Sequence, residues 1–197
     1  MLAATMCRRP QALGVEWQGS WSPRHPVQKA CLARLPVLAR LLLTTDGTVT
    51  AALAALMCEP VDVRILDQRT AVLADDDEEL VLEAGATVVD RRVLLRGAQT
   101  GTPLLYGASR IVSRRLPRGA RDALIDGGGA IGLVLRSCEL ETFRAPLRVG
   151  VQPAGDGAAS HLGAGLMCRR RYAINAGGQA LMIVDEQFPA DGFAAPR

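Results

Sequence analysis

Apolar residues recur along this chain with two different periods, and the change from one to the other divides it. Between residues 27 and 43 the spacing of Leu32, Leu35, Leu38 and Leu42 is helical, with Pro36 placed to kink or split the run. Thr45-Asp46-Gly47-Thr48 reads as a turn and N-cap ahead of a second helix through Thr50, Leu53, Leu56 and Met57, which stops at Pro60. From Val61 onward the period is two. Residues 61–66, 88–95 and 104–112 predict strands, the last two joined by a hairpin turn over 97–103. Residues 116–125 predict a short helix, 140–151 another strand or two, and the Gly/Ala-rich stretch 153–165 a mobile loop. Residues 169–175 and 181–188 flank Ala176-Gly177-Gly178-Gln179, a strong hairpin signal. Helices first and hairpin-linked strands after them predict an α+β fold with an antiparallel sheet. Residues 1–25 lack periodicity and are expected to be an irregular extension, with one domain over 26–190 and a tail over 191–197.

Two charges break the apolar faces of these strands in phase with them. In Val89, Arg91, Val93 and Leu95 an arginine shares a face with three aliphatic residues, while Asp90, Arg92 and Arg96 take the other face. Near the C-terminus Met182, Val184, Glu186 and Phe188 form the same pattern, with Asp185 pointing away. Arg91 and Glu186 should therefore both enter an apolar interior. A buried charge is costly unless something pairs with it. The two either satisfy each other or their neighbours, or meet a polar ligand.

Composition narrows the function. The chain has 197 residues, 49% of them hydrophobic, which suits one globular domain. Net charge is only +3, Lys29 is the sole lysine, and aromatics make up 4%, too few for base-stacking platforms, so no nucleic-acid partner is expected. Cys7, Cys31, Cys58, Cys138 and Cys168 form no CxxC pair, and the only histidines are His25 and His161, so neither a metal site nor a disulfide framework is expected. The apolar run 32–43 is interrupted by Arg34, Pro36 and Arg40 and is too short for a membrane span; a cytoplasmic protein is the expectation.

Other motifs carry less. The acidic run Asp75 to Glu79 reads as a solvated loop or helix start. Residues 127–132 fit GxGxxG, but no βαβ unit surrounds them, so they read as a flexible loop able to offer backbone N–H donors. Arg169-Arg170-Arg171 reads as a strand end with two exposed side chains and one inward stem. Ser109 and His161 lack a third member for a nucleophilic triad.

At these residues the chain resembles the chorismate pyruvate-lyase (4-hydroxybenzoate synthase) family, its actinobacterial branch in particular. The matching pieces run from about Leu42 to Pro189: Thr45-Asp46-Gly47-Thr48-Val49-Thr50, Arg91-Arg92-Val93-Leu94-Leu95-Arg96-Gly97, Ala130-Ile131-Gly132, Arg170-Arg171-Tyr172, Gly177-Gly178-Gln179 and Met182 through Pro189. The resemblance implies a six-stranded antiparallel sheet with helices packed on one face and a closed internal ligand site. It implies that Arg91 grips the ring carboxylate, that Glu186 stands at the opposite end of the ring, and that backbone N–H groups at Ile131-Gly132 help hold the carboxylate. Val49 stands where the covering segment often carries a methionine, and Met182 joins the expected lining. The implied reaction releases pyruvate from chorismate without a metal or organic cofactor, leaving 4-hydroxybenzoate or a related hydroxybenzoate. Its partner is a small molecule, with neither nucleic acid nor membrane involved, and the chain is expected to be a monomer or weak homodimer. Glu186 in an apolar site is expected to be the neutral acid. Two alternatives stand beside this reading: a non-catalytic binding module, since effector domains of bacterial transcription regulators share this kind of fold, and a secondary-metabolite cyclase using the same pocket.

Overall fold

The structure, a computed structural model, describes residues 15–22, 24–45 and 47–193. Strand β1 (Val15–Gln18) precedes three helices, α1 (Pro26–Ala33), α2 (Val37–Thr44) and α3 (Val49–Met57). Pro36 separates α1 from α2, as its missing N–H and fixed φ require. Strands β2 (Val61–Val72), β3 (Thr87–Gly97) and β4 (Pro103–Ile111) follow, then the single turn α4 (Arg118–Arg121), a wide π-type turn over Asp122–Asp126, and α5 (Ile131–Ser137). The chain closes with β5 (Phe143–Pro153), α6 (Asp156–Leu162), β6 (Leu166–Ala176) and β7 (Gln179–Pro189).

All seven strands form one antiparallel sheet in the order β1-β5-β6-β7-β4-β3-β2. The six strands expected are joined by a seventh, β1, which falls inside the stretch read as irregular. Four residues along β5 are too few to show a period in sequence. Residues 1–14 and 194–197 lie outside the described part of the chain. The β6–β7 hairpin turns through Gly177 (φ +56°) and Gly178 (φ +77°), two consecutive positions in the left-handed region that glycine adopts without cost.

The inner face of the sheet carries two core clusters. One gathers Leu42, Leu53 and Met57 of the helices against Leu95, Leu105 and Phe188. The other packs Leu116, Leu124 and Leu135 against Ile111, Ile174 and Met182. The charged residues singled out above lie between the two. Parts of the outer face are covered as well. Residues 73–82 fold over Val88, Val112 and Ile183, and α6 lies against Tyr106, whose ring stacks on His161 at 6.3 Å. The stretch expected to be a mobile loop is therefore partly helix: Ala158 is fully buried, and small residues there let α6 approach Tyr106 closely. The acidic run is partly tied down rather than simply solvated, with Asp77 accepting from the Leu80 N–H and Glu79 paired with Arg171. No helix among the described residues is long and apolar enough to cross a membrane.

Candidate active site

Strand register sets the geometry. On the inner face Arg91 of β3 lies opposite Ser109 of β4, which lies opposite Val184 of β7. The neighbouring row runs Val93, Gly107, Glu186, Arg170. Arg91 and Glu186 are thus two strands and one row apart, about 10 Å across the sheet and about 7 Å along it. Both are buried, at 2% and 8% exposure, and they do not pair. Their phase partners Arg92 and Asp185 face the other way, Arg92 toward Asp67 and Asp185 toward Arg169 and Arg171.

Between the two charges stands Gly107. A side chain there would meet Val93 Cγ2 at 3.1 Å and fill the space over the sheet. A cavity of about 60 Å³ occupies this region, walled by Val49, Val63, Val93, Leu105 and Val184, with Arg91 and Glu186 in its lining. Ile131 and Gly132 also line it, at the first turn of α5, where backbone N–H groups have no partner within the helix. The start of α5 is held against the start of α3: a Cβ on Gly132 would come within 2.7 Å of Thr48 Cγ2, and Arg136 donates to Thr48 Oγ1 at 3.2 Å. Met182 shares the face of Glu186, but the structure places it in the second core cluster at 0% exposure, outside the cavity lining.

The two charges are satisfied differently. Arg91 donates from Nη1 to the Gly129 carbonyl at 3.0 Å and from Nη2 to the Gly128 carbonyl at 2.7 Å, while its buried Nε has no partner. The glycine loop thus offers acceptors to Arg91, where N–H donors were the expectation. Burial lowers the Arg91 pKa, but from a value so high that the group stays cationic. Glu186 accepts from Arg170 Nε at 2.5 Å and from the Tyr172 hydroxyl at 3.2 Å. Arg170 also donates to the Leu42 and Thr45 carbonyls and lies 5.0 Å from the centre of the Tyr172 ring. Burial works against the Arg170 cation, yet Glu186 and Tyr172 outweigh it and hold the pKa above its ordinary value. Tyr172 is raised as well, by burial first and the Glu186 charge second, so it is a neutral donor. Both oxygens of Glu186 are therefore engaged as acceptors, with a guanidinium beside them that its apolar strand neighbours did not reveal.

Two residues of this site escaped the sequence. Arg170 was visible only as one member of an arginine triplet. Arg144 of β5 lines the cavity and was not singled out at all, because Ala145 and Pro146 beside it interrupt any strand alternation. Among the described residues no cluster of three His, Cys, Asp or Glu side chains is placed to hold a metal.

A family model described as "Chorismate pyruvate-lyase Rv2949c-like" matches residues 43–193. The chorismate pyruvate-lyase of Mycobacterium leprae is 29% identical over 152 residues, covering 76% of this chain and 72% of that protein. The Mycobacterium tuberculosis protein of the same name is 28% identical over 155 residues, covering 76% and 78%. Among solved structures, the effector domain of PhnF from Mycobacterium smegmatis superposes with a TM-score of 0.58 at 17% identity, covering 78% of this chain and 96% of that one, a likeness of fold alone.

Proposed function

We propose that in this chain, which belongs to the Rv2949c-like chorismate pyruvate-lyase family and is a carbon–oxygen lyase, the chamber between Arg91 and Glu186 is where chorismate loses pyruvate to leave 4-hydroxybenzoate. One observation carries the assignment. A buried cation and a buried carboxylate share one face, kept apart by a glycine, and among the described residues the cation meets two backbone carbonyls and no anion.

Arg91 takes the ring carboxylate, for which its planar fork is shaped. Backbone N–H groups of Ile131 and Gly132 supply further donors at that end, and Val49 packs over the ring. At the other end Glu186, held as a carboxylate by Arg170 and Tyr172, accepts a hydrogen bond from the ring hydroxyl. The ring is then fixed at both ends, so the enolpyruvyl ether is held in one orientation. The ether C–O bond to the ring breaks, and the hydrogen on the hydroxyl-bearing ring carbon passes to the enolpyruvyl methylene. The electron pairs close the aromatic ring and the pyruvate carbonyl. Atoms balance between chorismate and the two products, so the protein need only bind, orient and exclude water. The reading carries with it a cytoplasmic enzyme, monomeric or weakly dimeric, whose partner is its small-molecule substrate.

The test is purified protein with chorismate, following pyruvate and hydroxybenzoate. Removing the Arg91 fork forfeits two charged hydrogen bonds at about 1.5–3 kcal/mol each, so Arg91→Ala should raise KM by roughly 10²- to 10⁴-fold. Glu186→Gln loses one such bond and should lower kcat by about 10- to 100-fold. Arg92→Ala, on the outer face, should change neither. Wild-type rates in both site variants would refute the assignment. A wild type that binds 4-hydroxybenzoate yet releases no pyruvate would favour a binding module, the role its fold neighbour's name suggests for that protein.

A further inference from the structure

We propose that Arg144 is the second anion anchor of the chamber and takes the enolpyruvyl carboxylate of the substrate while Arg91 takes the ring carboxylate. This rests on the chorismate reading above and extends it to the reacting side chain.

Among the described residues, the charged side chains of the lining are Arg91, Arg144 and Glu186. Glu186 is already cancelled by Arg170, which is buried behind it. Two positive charges remain, and the substrate is a dianion. A chamber built for a single carboxylate would need one cation, and a second uncompensated guanidinium at a half-buried position would only cost desolvation.

Nothing else in the described residues accounts for Arg144. It forms no salt bridge there, and its Nε is buried without a hydrogen-bond partner. The three arginines of the neighbouring strand β6 contrast with it. Arg169 meets Asp185 and Glu16, Arg170 meets Glu186, and Arg171 meets Glu79 and Asp185. The charge of Arg144 is nonetheless felt inside, since it opposes the burial that raises the Tyr172 pKa.

Position completes the case. Arg144 lies on β5 opposite Ile174, one row from Tyr172 and four strands from Arg91, about 19 Å between backbones. The two long side chains line the same cavity from strands on either side of β7, which carries Glu186. Arg144 and Tyr172 also border a second cavity of about 390 Å³, walled further by Trp21, Thr45 and Phe143. The anchor therefore stands in the wall shared with a larger outer space. When the ether bond breaks, the carboxylate at Arg144 belongs to pyruvate, already at the side from which it can leave.

The test compares a dianion with a monoanion. In the full chain, Arg144→Gln should raise KM for chorismate by about 10- to 100-fold, the loss of one charged contact, and Arg144→Lys should recover part of it. Affinity for 4-hydroxybenzoate, measured by calorimetry, should stay within about twofold, because that product lacks the second carboxylate. Equal weakening toward both ligands would mean that Arg144 only shapes the chamber and would overturn the proposal. An unchanged chorismate KM would overturn it as well. A wild type that releases no pyruvate overturns the lyase reading and this proposal with it. An active wild type whose KM does not depend on Arg144 overturns this proposal alone.

Discussion

Replacing Arg170 by glutamine tests whether Glu186 is a carboxylate held in the interior by its neighbour. The pair is almost wholly enclosed, with side chains 5% and 11% exposed and Nε 2.5 Å from Oε2. Removing one partner of a buried pair costs about 3–5 kcal/mol, because the other charge stays behind unpaired. At about 2–4 °C per kcal/mol for a protein of this size, Arg170→Gln should lower Tm by roughly 6–20 °C. Arg170 also ties the end of α2 to the sheet through the Leu42 and Thr45 carbonyls, at 3.1 and 2.7 Å, so the single variant mixes two losses. A double-mutant cycle separates them. Arg170→Gln and the double variant with Glu186→Gln both lack the carbonyl contacts, but the double variant buries no charge. It should be more stable than Arg170→Gln alone, with a coupling energy of about 2–3 kcal/mol by urea unfolding followed by circular dichroism. It should remain slow toward chorismate, since stability returns and the hydroxyl acceptor does not. A double variant no more stable than Arg170→Gln would refute the reasoning. Glu186 would then not be a charge that Arg170 compensates, and its role as an anionic acceptor would fall.

Glu59 gives a pH signature away from the site. Its carboxylate accepts from Thr100 Oγ1 at 2.6 Å and from the Gln99 and Thr100 N–H groups at 2.6 and 3.0 Å, closing the β3–β4 turn. The Thr100 hydroxyl chiefly, with the two N–H groups, outweighs burial and lowers its pKa. The stabilisation is therefore complete above the ordinary carboxylate range and is lost as pH falls through the lowered value. The stability gap between wild type and Glu59→Gln should narrow from neutral pH toward about pH 3, and a gap independent of pH would contradict this account. The thiols should separate by burial. Cys168 is fully enclosed and its pKa is pushed up to about 12, by burial first and by Cys31 second, whereas Cys58 is exposed. A thiol reagent should label Cys58 in the native protein and Cys168 only on unfolding, and native labelling of Cys168 would show that the core opens there.

Much of the site could be read from alternation alone, because one face of a half-buried strand is a strong constraint. That choice put Arg91 and Glu186 inside and Arg92 outside, and burial agrees. The partner of Glu186 could not be found this way. Counting back from a two-residue turn at Gly177-Gly178 places Arg169 opposite Glu186 and Arg170 opposite Asp185. An irregularity between Ile174 and Asn175 shifts the pairing by one, which brings Arg170 opposite Glu186 and Arg171 opposite Asp185, while Arg169, now opposite Gln187, reaches Asp185 diagonally. One inserted residue thus moves a buried charge from one face of the strand to the other, and nothing in the local sequence announces it. The alternation around Glu186 therefore showed its apolar neighbours and not the guanidinium beside it. The helix over residues 156–162 was missed because glycine, alanine and serine carry little periodic signal, and its order comes from packing on Tyr106.

The same register explains why Arg91 can be buried without an anion beside it. A guanidinium two strands from the nearest inward carboxylate must find acceptors elsewhere, and the loop after the π-type turn brings the Gly128 and Gly129 carbonyls to it. Those carbonyls are neutral acceptors, whereas a carboxylate adds a full opposite charge and a bidentate fit to the planar fork. A ring carboxylate arriving at Arg91 therefore competes well for the same N–H groups and also finds Nε, which has no other partner. The cavity beside Arg91, about 60 Å³, has Ala130, Ile131 and Gly132 in its lining, directly after the glycine loop. Apart from Arg91, the described backbone bonds that hold residues 127–129 are those from the Gly127 and Gly129 N–H groups to Asp122 and Ala123. The acceptors that make the buried cation tolerable are thus the ones a carboxylate at Arg91 would displace, and displacing them would loosen the segment that leads into Ala130, Ile131 and Gly132 of the chamber wall. A neutral ring gains nothing from that exchange. Recognition of the anion and admission of the ring then draw on the same two hydrogen bonds, which ties selectivity for a carboxylate to the burial of Arg91 itself.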